Sequence, residues 1–94
     1  MYVDYAKLAK ETLRRVSNMV VNYDQLNQSA IDHIIDVAAS VMMTRDKYQM
    51  GGSFVQAVVL NDLDNTINRA DTECALAIRY FVYCNKFVHL PKVS

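Results

Sequence analysis

Four residues in the middle of the chain have the types and spacing to make a small polar site. Asn61, Asn65 and Arg69 recur at intervals of four, and Asp62 stands beside the first of them. On one helix all four share a face, contiguous with Phe54 and Val58. An acidic acceptor, two amides and a guanidinium so arranged form a pocket in which Arg69 can fork onto a carboxylate or phosphate. The commoner role of such a cluster is structural: a solvated face whose Asp–Arg network ties down a neighbouring helix.

The chain's two glycines, Gly51 and Gly52, precede this stretch, and Ser53 follows them. Free N–H groups and the positive dipole end make a helix start of this kind able to hold an anion. GGSF is not a phosphate loop, since it lacks the downstream Gly-Lys-Ser/Thr, and it is not GxGxxG. Most glycine pairs before helices are simply turns. Gly51, Gly52, Ser53, Asn61, Asp62, Asn65 and Arg69 are therefore the candidate ligand-binding set.

Other chemistry has less support. His33 with Asp32 and Asp36 is a His/carboxylate cluster at helical spacing, but no second cluster completes a metal-ligand set. His89 is isolated. Neither histidine has a Cys or Ser partner at an interpretable spacing, so nucleophilic catalysis finds no footing. No enzyme, metal or cofactor is expected. Six tyrosines in 94 residues is many; Tyr48, Tyr80 and Tyr83 could stack on a flat ligand, although tyrosines at helical spacing more often pack in a core or interface. Met42, Met43 and Met50 read as packing residues.

The elements that must position these residues are helices. Two glycines and one proline leave few breakers, which predicts an all-α bundle of three to four helices in a single domain, 1–94. The first helix is expected over about 3–21, with Tyr5, Leu8, Ala9, Thr12, Leu13, Val16, Met19 and Val20 on its apolar side. The second spans about 29–44, capped by Ser29. The third spans about 53–69, with Ser53 and Gln56 as a capping box and Val55, Val59, Leu63 and Ile67 as one apolar row. The fourth spans about 72–89, capped by Asp71, with Pro91 marking where helix can no longer continue. Continuity of the third and fourth through residues 69–71 is the alternative. The last helix is apolar nearly all round: Cys74, Ala77, Ile78, Phe81 and Val88 on one stripe, Leu76, Tyr80, Tyr83 and Phe87 on another. So small a domain has few elements to cover both, which predicts a homo-oligomer formed through the C-terminal helices.

The composition is that of a globular domain, 52% apolar and 21% charged. Ten basic residues balance ten acidic ones, and the one basic cluster is Lys7, Lys10, Arg14 and Arg15. Between residues 60 and 75 the balance is acidic, with Asp62, Asp64, Asp71 and Glu73 against Arg69. Nucleic acid is therefore disfavoured as a partner, since phosphate binding needs a basic face. Cys74 and Cys84, ten apart on one helix, would lie about 15 Å apart along its axis, too far for a disulfide. Buried free thiols in a reducing compartment are expected. No apolar run approaches the length of a membrane span, and the expected location is the cytoplasm.

Gly51, Gly52, Phe54, Ala57, Val58, Asn61, Asp62, Leu63, Arg69, Ala70 and Asp71 also form a pattern as a string. In it the chain resembles a widespread group of small phage and prophage proteins that share, roughly, GGF-L-x-A-V-L-x-N-D-L-x-x-A-x-x-R-A-D, then an apolar helix and a proline. The resemblance covers Met50 to Pro91. Ser53 looks inserted, Thr66 stands where alanine is usual, and Cys74 where asparagine is usual. What it implies is an accessory gene of phage origin acting in a bacterial cytoplasm; it supplies no catalytic residues. The expected function is non-enzymatic binding that serves host takeover or anti-defence. One form captures a small anionic ligand such as a nucleotide signal, with the Gly51–Gly52 helix start, Arg69 and tyrosines. Another docks directly on a host protein through an apolar or acidic surface, and a third is a structural or regulatory helical oligomer without a ligand.

Overall fold

The computed structural model describes residues 4–90; the expected helical start near residue 3 and the stop at Pro91 lie outside them. Six α-helices follow one another, with no strand among the described residues. They are α1 (Tyr5–Val16), α2 (Gln28–Arg45), α3 (Ser53–Val59), α4 (Leu63–Arg69), α5 (Thr72–Leu76) and α6 (Ile78–Phe87). Two short 3₁₀ turns, Ser17–Met19 and Tyr23–Gln25, carry the chain from α1 to α2. The all-α expectation holds, but with more and shorter helices than the sequence pattern suggests.

Capping explains where most of them begin. Asp4, Asn27, Asp62 and Asp71 each accept the backbone N–H three residues on, at 2.9, 2.8, 3.2 and 2.7 Å. A side-chain oxygen there satisfies one of the donors that a helix start leaves unpaired. Asn27, not Ser29, thus starts the second helix. The expected Ser53–Gln56 capping box does not form either. Ser53 is the first helical residue, Gly52 occupies the cap position with no side chain to offer, and Gln56 Nε2 donates instead to the Gly51 carbonyl at 2.9 Å.

The expected third helix breaks in two at its middle. The Asp62 N–H returns to the Ala57 carbonyl at 2.9 Å and the Asn61 N–H to Val58 at 3.1 Å. Asn61 is left-handed, with φ 59°. This pair of bonds is a Schellman C-terminus, and Asn tolerates the left-handed position better than most residues. Asp62 then serves at once as the exit from α3 and the cap of α4. The apolar row consequently fails beyond Val59: Leu63 and Ile67 are exposed, and Thr66 is the buried residue of α4.

The last helix also divides, at Ala77 (φ −118°, ψ 14°). The Leu76 carbonyl accepts from the Val21 N–H at 2.9 Å; in an unbroken helix it would accept from the Tyr80 amide. Helices three and four of the sequence reading are not continuous, since Ala70 is extended and Asp71 caps α5.

α2 is the centre of the bundle and packs against α1, α3, α5 and α6. Ala9, Ala38 and Ala77 are fully buried and let neighbouring backbones approach closely, while Leu13, Ile34, Val41, Met42, Tyr80 and Phe81 fill the space between. The Tyr80 hydroxyl donates to the Ala9 carbonyl at 2.7 Å, satisfying the one polar atom that this ring brings into the core. Most of both apolar stripes of the last helix is covered by the chain itself, leaving Phe87 as its exposed large residue. A partner copy would meet Phe87 as the exposed large apolar side chain of that helix.

A second network closes the far end of α6. Arg45 Nη1 donates to the carbonyls of Cys84, Asn85 and Val88 at 2.8, 2.9 and 2.7 Å. Its Nε and Nη2 fork onto the Asp46 carboxylate at 2.8 and 3.0 Å, and the Tyr5 hydroxyl donates to the same carboxylate at 3.0 Å. Arg45 holds Asp46 below the usual carboxylate range, and burial with the Asp46 contact pushes Tyr5 up to about 12. A guanidinium at a helix C-terminus meets both the unpaired carbonyls and the negative dipole end.

Candidate functional site

The α2–α3 connection and the start of α3 bound an open cleft of about 610 Å³, lined by Thr44, Arg45, Lys47, Tyr48, Gln49, Met50, Gln56, Val59 and Leu60. The sequence places it by ending α2 in a Schellman turn. The Tyr48 N–H returns to Met43 at 2.9 Å and Lys47 to Thr44 at 3.2 Å, with Lys47 left-handed at φ 66°. The Thr44 hydroxyl then accepts the Gly51 N–H at 2.9 Å, so the connection is held by its own polar groups at both ends.

Neither glycine takes a positive φ. Gly51 is required for a different reason: a Cβ there would sit 2.7 Å from Ser40 Oγ and from Val55 Cγ1, closer than atoms can pack. Gly52 faces open space. Gly51 lets α3 close onto α2, and the cleft forms beside it.

The cleft wall is mostly apolar. Tyr48, Met50 and Leu60 are 70%, 76% and 76% exposed. Arg45, which also lines it, already has its Nε, Nη1 and Nη2 engaged. Lys47 is the other cation of the lining. Five of the seven exposed large apolar residues among those described fall between residues 48 and 67: Tyr48, Met50, Leu60, Leu63 and Ile67.

The break after α3 redistributes the polar set expected on one helix face. Asn61 lies in the turn, Asp62 at the α4 cap, Asn65 in its first turn and Arg69 at its last residue, all exposed. Asp62 is occupied on both oxygens: Oδ1 takes the Asn65 N–H and Oδ2 the Asn65 side-chain amide at 2.7 Å. Those two bonds, with the Arg69 charge, keep Asp62 below the usual carboxylate range. The group closes on itself as a cap.

Asp71 carries a cluster that spacing did not show. Its Oδ1 accepts the Cys74 N–H, while Oδ2 lies 3.0 Å from His33 Nε2 on α2. The Cys74 sulfur lies 3.7 Å from that same nitrogen. His33 therefore meets Asp71 and Cys74, 38 and 41 residues away, and not the neighbouring acids Asp32 and Asp36. Asp32 instead accepts from Gln28 Nε2 at 2.8 Å. The Cys74 N–H and His33 lower Asp71, and burial with the Asp71 charge pushes the Cys74 thiol up to about 12. Cys84, also free and buried, is pushed up to about 11 by burial.

The chain matches no protein family, no curated protein and no solved structure. Among the described residues no helix is long and apolar enough to cross a membrane. The sequence reading missed Lys47, Leu60 and the exposure of Leu63 and Ile67. The Asn61-Asp62 pair with Asn65 three residues on, which marks a helix end and a new start, is the pattern that could have revealed the exposure of Leu60, Leu63 and Ile67; no signal of that kind marks Lys47.

Proposed function

We propose that this chain is a non-enzymatic accessory protein that binds an apolar segment of a partner protein with the cleft, Leu60 in its wall, and the exposed Leu63 and Ile67 of the helix that follows. The concentration of exposed large apolar residues between positions 48 and 67 carries this reading. Exposed apolar surface is disfavoured in a free monomer and marks interaction sites when it is clustered. The local architecture favours a ready-made surface, because Thr44, Gln56 and the two left-handed turns hold the cleft walls without help from a ligand. In keeping with the phage-type pattern of residues 50–91, the partner is a host protein in the bacterial cytoplasm and the outcome is its inhibition.

The test compares wild type with Leu60→Glu/Ile67→Glu, both of them surface positions, for crosslinked partners during expression in bacteria. Loss of a specific partner with unchanged melting supports the proposal; identical partners in both proteins overturn it. Light scattering separates the oligomer reading. A wild-type dimer that becomes a monomer in the double variant makes this surface a contact between copies.

Capture of a small anion is the second reading, favoured by the presence of Lys47 and the Tyr48 ring in one cleft. It predicts that a panel of cyclic and linear nucleotides raises the melting temperature, and that Lys47→Ala removes the shift. Gly51, Gly52, Ser53 and Arg69 belong to this reading only if Arg69→Ala removes it as well. A panel that leaves melting unchanged ends it.

A further inference from the structure

His33, Asp71 and Cys74 bring one nitrogen, one carboxylate oxygen and one sulfur to within 4.8 Å of one another. Two of the separations, 3.0 and 3.7 Å, are close to those around a tetrahedral metal. With bonds of about 2.0–2.3 Å, ligand atoms at a tetrahedral zinc stand roughly 3.3–3.8 Å apart. The third pair lies within 4.8 Å, so closing on an ion would draw the carboxylate and the sulfur together.

The direction of the contacts decides between two chemistries. In a nucleophile–base–orienter triad the carboxylate holds one ring nitrogen and the nucleophile faces the other. Here Asp71 and Cys74 both approach His33 Nε2. With both partners on one ring nitrogen, no separate base faces the thiol, and the nitrogen, oxygen and sulfur lie together as potential ligand atoms. Asp71 is further oriented by the Cys74 N–H on its other oxygen, as outer hydrogen bonds orient carboxylate ligands.

We propose that His33, Asp71 and Cys74 bind one zinc ion, which fastens the start of α5 to α2. A mixed nitrogen, sulfur and oxygen set suits zinc and excludes magnesium or calcium, which take oxygen shells. His33 and Asp71 are about half exposed, at 41% and 57%, so the ion enters from solvent and water completes its fourth position. Cys74 lies on the inner side and gives up its thiol proton when the ion binds. The site is independent of the cleft and of the partner proposed for it.

The full chain, stripped with chelator and titrated with cobalt(II) as a spectroscopic stand-in, tests this directly. Saturation at one equivalent is expected, with a thiolate-to-cobalt absorption band that zinc displaces, and zinc raises the melting temperature. His33→Ala, at a half-exposed position, abolishes the band while the fold persists. Cys74→Ser abolishes it too, and Asp71→Asn, which retains the helix cap but replaces an anionic ligand with a neutral amide, weakens binding. Cys84→Ser leaves the band unchanged. Absence of the band at one equivalent overturns the proposal, as does its persistence in His33→Ala or its loss in Cys84→Ser.

Discussion

Two aspartates cap consecutive short helices, and they spend their second oxygen differently. Asp62 and Asp71 each accept the N–H three residues on with Oδ1. The Oδ2 of Asp62 is taken by Asn65 in the same turn, whereas the Oδ2 of Asp71 reaches His33 on α2. The α3–α4 corner is thus closed by its own residues, and the α5–α6 limb by distant ones. Arg45 extends the contrast, since it closes the end of α6 from 39 to 43 residues away. Local closure shapes a corner that leaves Leu63 and Ile67 facing water, while remote closure builds the bundle.

The largest effect expected is at Arg45. Arg45→Ala removes the partner of a partly buried carboxylate and uncovers three carbonyls, which costs about 3 kcal/mol by denaturant titration. Arg45→Lys does not restore it, because an ammonium lacks the planar fork. A loss at Arg45 no greater than that at Asp62 would break the contrast.

Gly51→Ala comes next, at about 1–3 kcal/mol, since the new methyl meets Ser40 and Val55 at 2.7 Å. Gly52→Ser faces open space and gains a capping hydroxyl, so it changes stability by only a few tenths of a kcal/mol or raises it. Equal losses at the two glycines would show that their shared role is backbone freedom and not the approach of α3 to α2.

Asp71→Ala is expected to cost about 1–2 kcal/mol through the lost cap and the freed His33. Asp62→Ala, exposed and closed only on Asn65, lowers the melting temperature less. The reverse order would mean that the His33 contact contributes nothing.

The smallest effect is in the acid limb. Asp71 titrates in the fold below its unfolded value of about 3.9. The unfolded chain therefore binds more protons there, and the stability is present above about pH 4 and lost as pH falls through the folded value. Asp71→Asn keeps the cap and flattens this limb in acid-dependent melting. An unchanged limb would assign it to Asp46, which Arg45 lowers in the same sense.

This contrast also accounts for what was legible in the sequence. Helix class, the apolar side of α1, the Asp71 cap and the free cysteines depend on neighbours within one or two turns and could be read. The Asn61–Asp62 corner was local too, yet it was lost because four-residue spacing through Asn61, Asn65 and Arg69 imitates a continuous face. His33 with Cys74, Arg45 with the end of α6, and Val21 with Leu76 join positions whose meeting depends on the whole bundle. No periodicity encodes such pairs.

The Val21–Leu76 hydrogen bond has a use of its own. Val21 has an exposed side chain, sits in a loop and donates its amide to α5 across the chain. In hydrogen–deuterium exchange its protection would come from that one long-range bond. The amide is consequently a single-residue gauge of whether the α5 limb is docked. It would exchange at the rate of limb opening, well before the amides of α2 report global unfolding.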